Sequence, residues 1–209
     1  DFFVEMVGLK KKLSLSSTPA MLGFLVTSLG NVSLANAHLV TTGMGPVYDG
    51  IGHFLLTPED LVPVLALALY AGMRGADCGR RAMLLLPLAW FVGGIAGMTT
   101  GIESSPWITA ISFLAIGGLV AADFYMPSFA VSGLTFALGI VHGYLNGALL
   151  KDGPGNLGLL GIMAVVFVVV TLASAMVVSI RMSWARVAVR VAGSWVCASG
   201  LLMLGWLAK

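Results

Sequence analysis

Apolar runs of about 17–25 residues recur along this chain, and short segments that carry most of the charge separate them. A run of that length is what an α-helix needs to cross the hydrocarbon core of a bilayer. Helices are predicted near residues 58–74, 82–101, 106–123, 127–150, 156–180 and 186–207. The sequence therefore predicts an all-α, polytopic membrane helical bundle with six transmembrane helices.

The composition excludes most other classes of protein. Apolar residues make up 58% of the 209 residues and charged residues only 10%, too apolar for a soluble enzyme or a disordered chain. Long apolar runs also exclude an outer-membrane barrel, whose strands alternate. The net charge of +2 and the lack of a basic run with interleaved aromatics give no indication of nucleic-acid binding. The lipid bilayer is the expected partner, and the oligomeric state stays open.

The first part of the chain has the anatomy of a secretory signal. Three lysines at 10–12 precede an apolar stretch at about 20–34, and Ala35-Asn36-Ala37 supplies small residues before a cleavage site. An uncleaved first helix is the alternative, but several polar residues in the apolar stretch favour cleavage. The predicted division is 1–37 for upstream residues and signal peptide, 38–57 for an exterior interfacial segment, and 58–209 for the six-helix domain.

The distribution of charge predicts the orientation. With six spans and an exterior N-terminus, most basic residues between helices fall in the cytoplasm, as the positive-inside rule requires. Those inside are Arg74, Arg80, Arg81, Arg181, Arg186 and Arg190, and those outside are Lys151 and Lys209. We therefore expect a multi-pass protein of the bacterial inner membrane with its mature N-terminus outside the cytoplasm.

Two rows of glycine predict close helix packing. The second span carries Gly93, Gly97 and Gly101, and the fourth carries a second row at 139, 143 and 147. Small residues four apart allow helix backbones to approach closely in lipid.

Three histidines fall toward the exterior in this topology. His38 would be the mature N-terminal residue, and His53 lies in a glycine-rich segment too short to span. His142 lies inside the fourth span, and Asn146 follows it on the same helical face at i+4. An intramembrane histidine is a functional candidate, although an interhelical hydrogen bond is the simpler alternative. We expect His53 and His142 to approach each other on the outer side.

Carboxylates accompany these histidines. Thr57, Pro58, Glu59 and Asp60 are typical of a helix start, where acids in the first turn complement the helix dipole. Because His53 lies just before them, imidazole and carboxylate groups gather around one helix mouth. Such ligands suit nickel, cobalt, zinc or copper without singling one out. The amine and imidazole of a cleaved terminus could add a chelating pair.

These segments resemble the HupE/UreJ family of membrane proteins, regarded as nickel or cobalt permeases with about six spans. The first family motif reads H-x5-D-H, and residues 53–60 read HFLLTPED, with Glu59 at the aspartate and Asp60 at the second histidine. The second reads F-H-G-x-A/V-x-G-x-E, and residues 141–149 read VHGYLNGAL. They keep the histidine and both glycines, with Leu149 at the glutamate.

The resemblance implies a membrane permease for a divalent transition-metal ion, nickel or cobalt, with zinc or copper also compatible with the ligand types. The ion is the substrate, and no permanently bound cofactor is expected. The predicted metal ligands are His38, His53, Glu59, Asp60, His142 and Asn146. The alternative is a non-transporting accessory subunit, or a metal-binding protein of a metalloenzyme maturation system.

An enzymatic activity is not expected. Ser132 and His142 superficially suggest an intramembrane hydrolase, but ten residues on one helix separate them by about 15 Å along its axis. No hydrogen-bonded Ser–His pair forms at that distance. Asp123, at the cytoplasmic end of the third span, is predicted to be interfacial and separate from the outer site.

Overall fold

The computed structural model describes residues 41–100, 105–180 and 182–209. In these ranges the chain is helical with short connections and contains no strand. The helices are α1 (Pro46–Leu56), α2 (Pro58–Met73), α3 (Ala76–Thr100), α4 (Pro106–Ala122), α5 (Ser128–Leu150), α6 (Gly155–Ser179) and α7 (Ser183–Leu207). The predicted signal peptide, its cleavage site and His38 lie outside the described residues.

The six predicted helices correspond to α2 through α7. The largest difference is in α3, which begins at Ala76 instead of residue 82 because Arg80 and Arg81 belong to its first turns. Charged residues can extend a helix beyond the apolar run, so hydropathy alone places its start too late.

Several of these helices are suited to crossing a membrane. By length and composition α3, α5, α6 and α7 qualify, and α1 with α2 makes a fifth if this bent pair crosses as one. α4 is apolar but has only 17 residues. The chain is therefore a multi-pass membrane protein with four or five candidate spans among the described residues, and the count of six stays a prediction.

A sharp bend joins α1 to α2. The two helix axes differ by 75° at Thr57, which has an extended backbone (φ −104°, ψ 93°). Pro58 explains the break, because the residue before a proline is disfavoured in the α region. The Thr57 hydroxyl donates to the carbonyl of His53 at 2.7 Å and stabilises the turn. The segment before the bend, predicted as an interfacial stretch, is thus a short helix.

The described members of the two predicted glycine rows face each other across the α3–α5 interface, and Gly101 lies outside the described residues. A Cβ on Gly143 would collide with the backbone of Trp90, and one on Gly147 with the backbone of Gly94. Gly93 of α3 lies in the same way against the backbone of α5. The prediction of backbone-to-backbone packing is confirmed, and it fixes the depth and rotation of α5.

An ion-pair cluster joins α2, α4 and α7 at the end of the bundle that the charge distribution assigns to the cytoplasm. Arg74 and Arg186 both bind the carboxylate of Asp123, the second at 3.3 Å. Asp123 caps α4 in the left-handed region (φ 51°), and the Tyr70 hydroxyl donates to the neighbouring Phe124 carbonyl at 2.7 Å. We call Arg74, Asp123 and Arg186 the arginine–aspartate cluster. Asp123 makes its contacts here, and its predicted separation from the outer site is confirmed.

We predict that Gly147→Ala destabilises the bundle by about 1–3 kcal/mol, the usual cost of overpacking, because its methyl group has no room against α3. Gly133→Ala in the same helix is the matched control, since no other atom lies within 4 Å of a Cβ at that position. Thermal unfolding in detergent compares the two variants. Equal melting temperatures for both would contradict the assigned contact.

Candidate functional site

Asp60 is enclosed by protein at the start of α2. Only 6% of the residue is exposed, whereas its neighbour Glu59 is exposed. Successive residues differ by about 100° around a helix, so one acid of the pair turns inward and the other outward. Both were predicted as candidate ligands, and the structure brings only Asp60 into the bundle.

Two side chains of α5 meet this carboxyl group. The Nδ1 atom of His142 lies 2.9 Å from Asp60 Oδ1, and the Asn146 amide donates to Asp60 Oδ2 at 2.8 Å. The same amide donates to the His142 carbonyl at 3.0 Å. His142 and Asn146 are each 1% exposed. Their i,i+4 spacing places them on one helical face, as predicted.

The other ring nitrogen of His142 contacts α4. Its Nε2 lies 3.0 Å from the Ser112 hydroxyl oxygen, and that hydroxyl donates its own hydrogen to the Ile108 carbonyl at 2.9 Å. Since the Ser112 hydrogen is already used, His142 Nε2–H is the donor. Both ring nitrogens are therefore occupied, and His142 can bind a metal only after it has released Ser112 or Asp60 and the freed nitrogen carries no proton.

His53 brings a second imidazole to the same group. It is 2% exposed and lies near Asn146 and Asp60. His53 Nε2 and Asn146 Oδ1 are buried and have no hydrogen-bond partner. Buried polar atoms are normally paired, because an unpaired one loses its hydration without compensation. The two side chains are neighbours, so either a small shift that lets His53 donate to Asn146 or a polar ligand bound between them would satisfy both atoms.

An aromatic wall closes one side. Trp90 of α3 is fully buried, with its ring centroid 5.8 Å from that of His142 and 5.6 Å from that of Phe54, which it meets edge to face. The Trp90 indole N–H is also buried without a hydrogen-bond partner, so the wall is aromatic but not wholly apolar.

We call His53, Asp60, Ser112, His142 and Asn146 the polar site. Sequence reasoning missed Ser112 as a member and Trp90 as its wall. Ser112 is a polar residue within the apolar helix α4, and this was the available signal, but its partner on another helix cannot be read from the sequence.

The predicted ligands divide into three groups. His53, Asp60, His142 and Asn146 gather in the polar site, Glu59 lies outside it, and His38 is not described. His53 and His142 share Asp60 and Asn146 as neighbours, which supports their predicted approach. Within the described ranges no group of three or more His, Cys, Asp or Glu residues stands ready to hold a metal ion. The metal-ligand assignment stays a prediction.

Comparison of the sequence with known protein families shows which family the chain belongs to. The HupE / UreJ protein family matches residues 24–203, which include both histidine segments. The chain belongs to the HupE/UreJ family. This family is associated with nickel or cobalt transport or with urease and hydrogenase maturation. No curated protein and no solved structure matches the chain.

The structure gives a physical meaning to the departures from the family motifs. Asp60, at the position of the second motif histidine, is the residue to which His142 and Asn146 bind. Leu149, at the position of the motif glutamate, is 48% exposed and is no part of the polar site. The two departures thus affect different parts of the molecule.

We predict that Asp60→Asn lowers the free energy of unfolding by about 1–3 kcal/mol, because it disrupts the hydrogen bonds that His142 and Asn146 make inside the bundle. Glu59→Gln, a similar change at an exposed position, should keep the free energy of unfolding within about 0.5 kcal/mol of that of the unchanged protein. Thermal unfolding of both variants in the same detergent measures the difference. If both variants lost stability to a similar extent, the buried hydrogen bonds of Asp60 would not be the reason for its effect on stability.

Proposed function

We propose that this protein is a permease for a divalent transition-metal ion, nickel or cobalt, with the polar site as its binding site. It would lie in the bacterial inner membrane as six spans, with the mature N-terminus and the polar site toward the exterior. Family membership supports the class of substrate. The observation that carries the proposal is the gathering of His53, Asn146 and the Asp60 carboxyl group inside the bundle, where His53 Nε2 and Asn146 Oδ1 face each other without a well-formed hydrogen bond.

The chemistry of these donors fits such an ion. An imidazole nitrogen accompanied by amide and carboxyl oxygens suits borderline divalent metals. His142 supplies a further nitrogen once one of its hydrogen bonds breaks. A site with a single carboxylate binds modestly, and transport requires a site that also releases its ion.

The position of the polar site supports entry from the exterior. Asp60 lies in the first turn of α2, and Asn146 lies four residues before the end of α5, about 6 Å along the axis. These two helix ends point outward in the proposed orientation. The arginine–aspartate cluster lies at the opposite ends of the helices, where its positive charge belongs in the cytoplasm.

We predict that His53→Ala, Asn146→Ala and His142→Ala each reduce nickel or cobalt accumulation by at least tenfold in cells that express the protein. Each change removes one metal-ligand side chain and puts a smaller one in its place, so the variants should still insert into the membrane. Radioactive or mass-spectrometric metal accumulation, normalised to membrane-inserted protein, measures the effect. Zinc and copper measured in parallel establish the selectivity.

Glu59→Gln is the matched control, because it alters an exposed carboxylate next to Asp60 and should leave uptake unchanged. Metal bound by the purified protein, compared with a His53→Ala/His142→Ala double variant, separates binding from transport. If the protein binds metal through these histidines but supports no accumulation, it is a metal-binding accessory protein. If His142→Ala and His53→Ala both transport normally, the site assignment is wrong.

A further inference from the structure

We propose that α4 and α7 form one rigid two-helix unit that moves against the rest of the bundle and opens the polar site. The inference deepens the proposed function, since it names the moving part of the permease. It stands on the distribution of close packing, cavities and polar contacts among the helices.

The α4–α7 pair is held together by glycine contacts. A Cβ on Gly117 or on Gly200 would collide with the backbone of the opposite helix, and one on Gly193 with Val120 and the Ala121 backbone. Arg190 of α7 also donates to the Ala121 carbonyl at 3.0 Å. Backbones this close cannot slide without steric conflict, so the two helices move together.

The rest of the bundle is rigid for the same reason. α3 and α5 meet along their glycine rows, and Gly50 of α1 meets the backbone of Gly158 in α6. α4 and α7 share no such interface with these helices. They pack mainly on each other and reach the rest of the bundle chiefly through α2.

The boundary between the two parts is poorly filled. A cavity of about 450 Å³ lies between α7 and the ends of α2 and α6, lined by Met73, Val177, Arg186 and Val189 among others. A second cavity of about 180 Å³ separates α2 from the α4–α7 pair and includes Leu65 and Val196 in its lining. A cavity of similar volume also lies between α3 and α6, so the 450 Å³ cavity is what distinguishes this boundary. Both cavities at the boundary open to the outside of the bundle, and the side chains that line them have no protein neighbour on that side, so movement here breaks fewer contacts than at the glycine interfaces.

Polar contacts bridge this boundary near both ends. Toward the exterior the Ser112 hydroxyl of α4 holds His142 Nε2 of α5. At the other end Arg74 of α2 binds Asp123, which follows α4, and Tyr70 binds the Phe124 carbonyl. Each end can therefore be released while the other remains closed.

Movement and ion binding are linked through His142. While α4 is in place, His142 Nε2–H donates to Ser112. Withdrawal of α4 at the outer end removes this acceptor, and the nitrogen can bind a metal ion once its proton has passed to water that enters there. Separation of Arg74 from Asp123 would open the opposite end. The α4–α7 unit thus alternates between two arrangements: in one the Ser112–His142 contact is made, and in the other the Arg74–Asp123 contact is made. Ser112 is the positioning residue that couples movement of this unit to the polar site.

The test measures distances between spin labels in the purified protein in lipid nanodiscs, with no metal present. One pair, Leu84→Cys with Val187→Cys, spans the boundary near the cytoplasmic end. A second, Ile95→Cys with Leu202→Cys, spans it near the outer end. A third pair, Ile111→Cys with Leu202→Cys, lies within the α4–α7 unit and serves as control. All five positions are exposed, so labels there disturb little packing.

The native Cys78 and Cys197 are replaced by alanine, and each pair is compared with and without one released contact. Ser112→Ala should increase the ratio of long to short distances at the outer pair about 2- to 12-fold, the effect of losing one typical hydrogen bond. Asp123→Asn should do so at the cytoplasmic pair, and asparagine tolerates the left-handed backbone at that position. The control pair should not change.

If Ser112→Ala leaves the distances of the outer label pair unchanged, the inference is wrong. It is also wrong if the distances of the control pair change together with those of the outer pair. If Asp123→Asn does not yield folded protein, the outer pair alone decides. The readout is independent of transport. If the distances across the boundary change as expected but cells accumulate no metal, the proposed function is wrong and the moving unit is supported. If cells accumulate metal but the distances do not change, the moving unit is wrong and the proposed function is supported.

Discussion

The carboxyl group of Asp60 is held inside a bundle whose surroundings are lipid, where water cannot satisfy it. It therefore depends on partners from other helices, and His142 and Asn146 of α5 supply them. His142 in turn reaches Ser112, so α2, α5 and α4 become connected through one buried group. The proline break after Thr57 directs Asp60 inward, and the glycine contact of α3 with α5 sets the position of its partners.

Close packing and polar contact have separate roles in this molecule. Glycine rows make backbone-to-backbone interfaces that are rigid because any displacement creates a collision. Hydrogen bonds and ion pairs occupy the boundary between the α4–α7 pair and the other helices, where cavities leave the packing incomplete. The proposed permease function would use both properties, since a fixed site would have to be exposed alternately to two sides without unfolding the bundle.

Membership of the HupE/UreJ family gives the substrate class its support, and the motif departures show how this chain differs. The aspartate at the second histidine of the first motif, Asp60, contacts His142 in this chain. The leucine at the motif glutamate lies on an exposed part of α5, away from the polar site. If the proposed metal site is correct, the change at Asp60 is the one that should alter metal choice, because it places a harder oxygen donor where the motif has a nitrogen donor.

The sequence by itself determined the class of fold, the approximate helices and the pairing potential of the glycine rows, because apolar length and i,i+4 spacing are local properties. It also indicated His53, Asp60, His142 and Asn146, since polar residues in apolar surroundings are few. Only the tertiary structure decided that Asp60 and not Glu59 turns inward, and that Ser112 and Trp90 complete the site. Those outcomes depend on helix rotation and on which helices become neighbours. Both follow from packing between segments far apart in the chain, and no local pattern encodes them.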